Sequence, residues 1–119
     1  VLSRLGVGER KMVNARELKR EVEGIVKQLI EVYKPQRIIL FGSLFRGKIK
    51  ESSDIDLFII KKDIPELGVE RIRQLDSLIK YRWATDFIVY KPEEVEERLK
   101  LGDPFIKSII EKGKVLYEA

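Results

Sequence analysis

Three aspartates and one glycine-serine pair are the residues of this sequence best suited to chemistry. Asp54 and Asp56 stand two apart in the run DIDLFII. On an extended strand, residues i and i+2 project from one face about 7 Å apart. That spacing suits metal coordination, and it also suits a solvated strand end. Asp86 lies near the start of a second apolar run, ATDFIVY, so three acids can share one sheet edge. Carboxylates about 4 Å apart repel by about 4 kcal/mol at an effective dielectric near 20, a large part of a small domain's stability. Something positive must therefore sit among them. Magnesium is one candidate, because it takes oxygen ligands, keeps waters and shares its coordination sphere with phosphates. Ion pairing with Arg46, Lys48, Lys50, Lys61 or Lys62, all near in sequence, is the other.

Gly42-Ser43 closes the apolar run RIILF. At such a strand end, free backbone N–H groups and a hydroxyl can converge on a phosphate, and a residue without Cβ lets it approach closely. Gly-Ser after a strand is also ordinary turn chemistry.

The composition narrows the chemistry further. Cysteine and histidine are both absent from the 119 residues, which removes thiol nucleophiles, disulfides, Cys/His zinc sites and imidazole proton transfer together. Acid-base and metal chemistry must then use carboxylates. Twenty-four Lys and Arg against twenty Asp and Glu give a net charge of +4, which suits anionic ligands but falls short of a dedicated nucleic-acid binder, and direct nucleic-acid binding is not expected. No apolar stretch is as long as a membrane span, and the first thirty residues lack a secretory apolar core. The expectation is a cytoplasmic protein with no membrane association.

The elements that must position these residues follow from periodicity. Residues 1–13 mix glycines and charges without a period and read as a flexible lead-in, leaving 14–119 as one domain. From Asn14, a plausible N-cap, apolar residues recur with helical spacing from Leu18 to Tyr33, and Pro35 ends the helix. Arg37 to Phe41, Asp54 to Ile60 and Thr85 to Tyr90 read as strands. Pro65 suits the first turn of a helix with Leu67, Ile72, Leu75, Leu78 and Ile79 on its apolar face. Pro92 and Asp103-Pro104 open two further helices, and Gly113 ends the last one before a short run from Val115 to Tyr117. The predicted fold class is α/β (α+β), with helices packed on a small mixed sheet. Trp83, Tyr81 and Phe105 favour core packing by residue type, with a partner-facing surface as the alternative.

Gly42-Ser43, ten intervening residues, then Asp54-Ile55-Asp56 resembles the GS-x10-D-x-D signature of the polymerase-beta-like nucleotidyltransferases, and Asp86 falls where their third carboxylate is expected. The strings FGSLFRG and SSDIDLFI are most similar to the minimal nucleotidyltransferases (MNT), the antitoxin partners of HEPN-domain toxins. The resemblance covers roughly residues 14–117, with only the motif positions specific. One departure is Phe45 before Arg46-Gly47, where many minimal members carry a small residue.

The resemblance implies the nucleotidyltransferase fold and assigns roles. Asp54, Asp56 and Asp86 become the catalytic and metal-binding residues, holding magnesium, with two ions in the two-metal arrangement. Gly42, Ser43, Arg46 and Ser53 become nucleotide-binding, and Asp86 becomes the acceptor of the hydroxyl proton. ATP is the implied substrate. AMP passes to a hydroxyl, by the resemblance a tyrosine, of a HEPN toxin with which the chain forms a hetero-oligomer, as the antitoxin of a type VII-like toxin-antitoxin pair. The alternative is a catalytically silent binding module that neutralises or regulates a partner by contact.

Overall fold

The computed structural model describes residues 15–42 and 54–119. The lead-in expected over residues 1–13 lies outside them. Helix α1 spans Ala15–Gln28 and continues as a π-helical turn over Leu29–Tyr33. Strand β1 is Arg37–Phe41, β2 is Ile55–Ile60, α2 is Gly68–Leu78 and β3 is Thr85–Tyr90. Helices α3 (Pro92–Lys100) and α4 (Pro104–Lys112) follow, and β4 (Lys114–Glu118) completes the order. The four strands form one mixed sheet in the order β3-β2-β1-β4. Strand β1 runs antiparallel to both β2 and β4, while β2 and β3 are parallel. The parallel pair needs a long crossover, and α2 supplies it. No helix among the described residues is long and apolar enough to cross a membrane.

Both faces of the sheet are covered, which explains why β1 and β2 read as nearly continuous apolar runs. On one face Ile38, Leu40, Leu57, Ile59, Phe87 and Val89 pack against Leu18, Val22, Ile25 and Leu29 of the first helix and Leu75 of α2. On the other, Ile39, Phe58 and Ile60 pack against Val95 of α3 and Ile106 and Ile109 of α4. Phe58 is fully buried, and a side chain of that size contributes about 1.5–3 kcal/mol by leaving water. Gly113 lets β4 close against this layer, since a Cβ there would stand 2.5 Å from both the Ile109 carbonyl oxygen and Ile39 Cγ2.

Helix boundaries follow local chemistry where caps are strong. The Asp103 carboxylate accepts from the N–H groups of Phe105 and Ile106 at 3.0 and 3.2 Å, with Pro104 in the first turn. Lys34 takes the left-handed conformation at φ 57° and its N–H closes on the Leu29 carbonyl at 2.8 Å, ending the first helix ahead of Pro35. The second helix departs from its expected place. It begins at Gly68, not at Pro65, and Leu67 and Leu78, expected on its buried face, are 65% and 45% exposed. Arg71, absent from the expected face, is instead buried beside Leu75. Its charge conceals an interior residue from any count of apolar spacing.

Candidate active site

The alternation along β2 places Asp56 on the same face as Phe58 and Ile60, the face covered by α3 and α4. Near the start of the strand that cover ends and Asp56 is half-buried. Asp86 pairs directly with Asp56 across the parallel ladder, and Phe41 pairs with Asp56 from the antiparallel side. Adjacent strands lie about 4.8 Å apart, so side chains at paired positions are neighbours on one face. Asp54 precedes β2 by one residue and shares the parity of Asp56. The fold thus brings together three carboxylates from two stretches of chain, with Asp86 open to solvent and none of them on the face occupied by Leu57 and Ile59.

Gly42, next along from Phe41, is held at φ +84°, and a Cβ built there would lie 2.2 Å from Asp56 Oδ2. The glycine therefore makes room for a carboxylate of its own chain, a demand its sequence context did not reveal. Gly42→Ala should cost about 1–2 kcal/mol in strain from the left-handed backbone. It should also push the Asp56 carboxylate aside. Displacing a reacting geometry by about 1 Å costs roughly 100-fold in rate, so turnover should fall far more than thermal stability, as parallel activity and melting measurements will show.

Electrostatics agree with the geometry. Burial raises the Asp56 carboxyl above its ordinary range, and the charges of Asp86 and Asp54 raise it further. Among the described residues, no Lys or Arg forms an ion pair with any of the three. Lys61 lies beyond the opposite end of β2, roughly 16 Å along the strand from Asp56. Its ammonium stands over the Tyr33 ring, 5.1 Å from the centroid, so neither it nor Lys62 serves as the counter-charge the sequence allowed. The all-oxygen donor set on one face fits a hard divalent cation such as magnesium. Among the described residues, however, no three carboxylates are gathered tightly enough to form a ready-made metal site.

The raised carboxyl has a consequence for stability. The folded chain holds the Asp56 proton to higher pH than the unfolded chain does, so ionising it on the way to neutrality costs the fold stability. Asp56→Asn removes that cost. The metal-free variant should melt above the parent at pH 7, with the gap closing as pH falls below the carboxylate range. Differential scanning calorimetry across that range tests this, and an equal gap at every pH would contradict it.

Ser43, Arg46 and Ser53, expected at the nucleotide, lie outside the described residues, as do Phe45, Lys48 and Lys50. Of the three aromatics weighed as core or surface, Trp83 is buried. Tyr81 is half-buried, edge-on to Phe87 at 5.3 Å, with its hydroxyl donating to Asp76. Phe105, by contrast, is 51% exposed, which corrects its expected place in the core. At the first turn of α4 it sits past the edge of the layer that Ile106 and Ile109 build.

Sequence reasoning also missed the buried cation that anchors β3. Arg71 is only 6% exposed. It donates to both Glu94 carboxylate oxygens at 2.8 and 2.9 Å, to the Val89 carbonyl at 3.0 Å and to the Pro65 carbonyl at 2.6 Å. Glu94 also accepts from the Lys91 N–H at 2.8 Å. The Pro-x-Glu opening of α3 was a signal for the cap, but nothing local pointed to the arginine.

Over residues 23–119 the chain matches the family described as Polymerase beta, Nucleotidyltransferase. It is similar to three Methanocaldococcus jannaschii proteins, each named "Putative protein adenylyltransferase". One is 33% identical over 68% of this chain and 57% of its own length. A second is 34% identical over 64% of this chain and 75% of its own length, and a third is 32% identical over 80% and 97%. The chain thus spans little more than half of the first relative. A crystal structure of a "putative nucleotidyltransferase" from Sulfolobus solfataricus superposes with a TM-score of 0.47 at 25% identity, covering 77% of this chain and 79% of that one. The family match spans Asp54, Asp56 and Asp86, and on its extent this chain belongs to the polymerase beta nucleotidyltransferase family.

Proposed function

We propose that this chain transfers AMP from ATP to a hydroxyl of a partner protein, in a reaction that depends on magnesium, and that the acceptor is a tyrosine of a HEPN-domain toxin which the transfer silences. The observation that carries the reading is the register that sets Asp56 beside Asp86, with Gly42 close against Asp56. Relatives named as protein adenylyltransferases support the choice of AMP and of a protein acceptor. The sequence signature supports the toxin as partner.

Asp54, Asp56 and Asp86 would hold the cation, with two ions shared among them. Bound there, magnesium supplies charge stabilisation at the attacking and leaving oxygens. The chain's own residues do the rest. Gly42, Ser43, Arg46 and Ser53 bind the triphosphate and aim its α-phosphorus at the acceptor. Asp86, exposed at the edge strand, takes the proton from the acceptor hydroxyl. The new bond joins that oxygen to the α-phosphorus, the bond from the α-phosphorus to the oxygen bridging to the β-phosphorus breaks, and pyrophosphate leaves. A tyrosine hydroxyl titrates near 10 in water, so a neighbouring carboxylate and cation are both needed at neutral pH.

The test is to incubate the protein with magnesium, α-labelled ATP and the product of its genomic neighbour, which this reading expects to be a HEPN-type ribonuclease. The partner should be labelled and lose its ribonuclease activity, and Asp54→Ala should abolish both effects while leaving the fold intact. A contact-only module is the second reading, favoured by the finding that the three acids are not drawn into a closed metal site. It predicts neutralisation without label.

A further inference from the structure

One exposed aromatic ring stands next to the strand end that carries Phe41. Among the described residues, Phe105 is the one aromatic among the large apolar side chains left open to water, at 51% exposure. It meets Phe41 edge-to-face, with ring centroids 5.8 Å apart and planes at 83°. Phe41 in turn is the residue paired with Asp56 across β1 and β2. The sequence Asp86, Asp56, Phe41, Phe105 therefore runs across one face of the sheet from the β3 edge towards β1, ending in a half-exposed π-surface.

We infer that Phe105, braced by Phe41, is the shelf on which the base of the nucleoside triphosphate stacks. The inference rests on the proposed nucleotidyl transfer and specifies which part of the substrate lies where. Two ring-bearing ligands have to be accommodated in that reaction, the nucleobase and the acceptor phenol. The carboxylate proposed to accept the proton, Asp86, stands on β3, and Gly42, proposed to hold phosphates, directly follows β1. Phe105 lies on the β1 side. The nucleotide side of the site is thus the side with the aromatic step, and the acceptor enters from the opposite edge. Stacking suits this position, since every base presents a π-face and an exposed ring already fixed by a neighbour loses little freedom on binding. The ordinary explanation, that Phe105 only covers Phe41, accounts for one edge of contact and leaves half the residue in water.

The test compares equilibrium binding of magnesium-ATP with that of magnesium-tripolyphosphate, which carries the same phosphates and no base. Phe105→Ala should weaken ATP roughly 5- to 100-fold and leave tripolyphosphate unchanged. Phe105→Leu keeps an apolar cover over Phe41 and should show the same selective loss, so a merely structural role is distinguished. Phe105→Trp should retain ATP affinity, with fluorescence quenched by ATP but not by tripolyphosphate. Equal effects on the two ligands, or none on either, would overturn the shelf, as would a loss confined to the KM of the acceptor. Asp54→Ala reports separately on the carboxylate reading. If it leaves labelling and binding intact, nucleotidyl transfer at these acids fails while the Phe105 comparison still reads out base stacking.

Discussion

Asp86→Asn is expected to slow nucleotidyl transfer by roughly 100- to 10,000-fold, the range typical for removing a positioned general base. The substitution keeps the size of the side chain and removes its ability to take a proton or neutralise a cation. Because Asp86 is exposed and on an edge strand, the fold should tolerate it, and the Tm should stay close to the parent value. Asp54→Ala should be at least as damaging, since it removes a proposed cation ligand without touching the register of β2 and β3. Single-turnover rates with saturating ATP separate these losses from weaker binding. An Asp86→Asn enzyme with parental rate would remove that residue from the chemistry and leave the acceptor hydroxyl without a base on this chain. The pairing of Asp56 with Asp86 would then reflect only sheet architecture.

Arg71→Ala should have the largest effect on stability, with a loss of about 3 kcal/mol, the low end for removing one partner of a buried ion pair, because the Glu94 left behind is partly open to water. For a chain of this size that corresponds to a fall in Tm of more than about 10 °C. The cost arises because the Glu94 carboxylate loses its bidentate partner and the Val89 and Pro65 carbonyls lose a donor in the same step. Arg71→Lys should rescue little, because an ammonium cannot reproduce the planar fork that reaches both Glu94 oxygens. Replacing Arg71 and Glu94 together with apolar residues should recover only part of the loss, since the Lys91 N–H would then lack its acceptor. The pair also sets an acid limit. Hydrogen bonding to Arg71 holds the Glu94 carboxyl below its ordinary value. The stabilisation is therefore present above the unfolded-state value and is lost as pH falls through the lowered one. Acid titration of the Tm should show this loss in the parent and not in Arg71→Ala.

Several elements were readable because their causes are local. The Asp103-Pro104 cap, the Pro92 start and the strands over 37–41, 55–60 (expected one residue earlier, from Asp54) and 85–90 follow from capping chemistry and apolar runs that need only near neighbours. The first helix continues to Tyr33 as expected, but its last turn widens to a π-helix that leaves both Leu29 and Tyr33 buried. The buried face of the second helix was misread because an interior arginine is invisible to hydrophobic periodicity. Its burial is possible only with acceptors from Pro65, Val89 and Glu94, which come from three other parts of the chain.

For the site, the sequence by itself determined the residue types, the two-residue spacing that puts Asp54 and Asp56 on one face, and the absence of any histidine or cysteine to share their task. Only the tertiary structure decided that Asp86 lies beside Asp56 and not one residue out of register, which would have turned it to the opposite face. It also decided that Gly42 clears space for Asp56, that Lys61 is at the wrong end of the strand, and that Phe105 is left in water beside Phe41. The division has a physical basis. Spacing along a strand is set by backbone geometry that every sequence shares, whereas register between strands and the reach of a covering helix are set by packing among residues far apart in the chain.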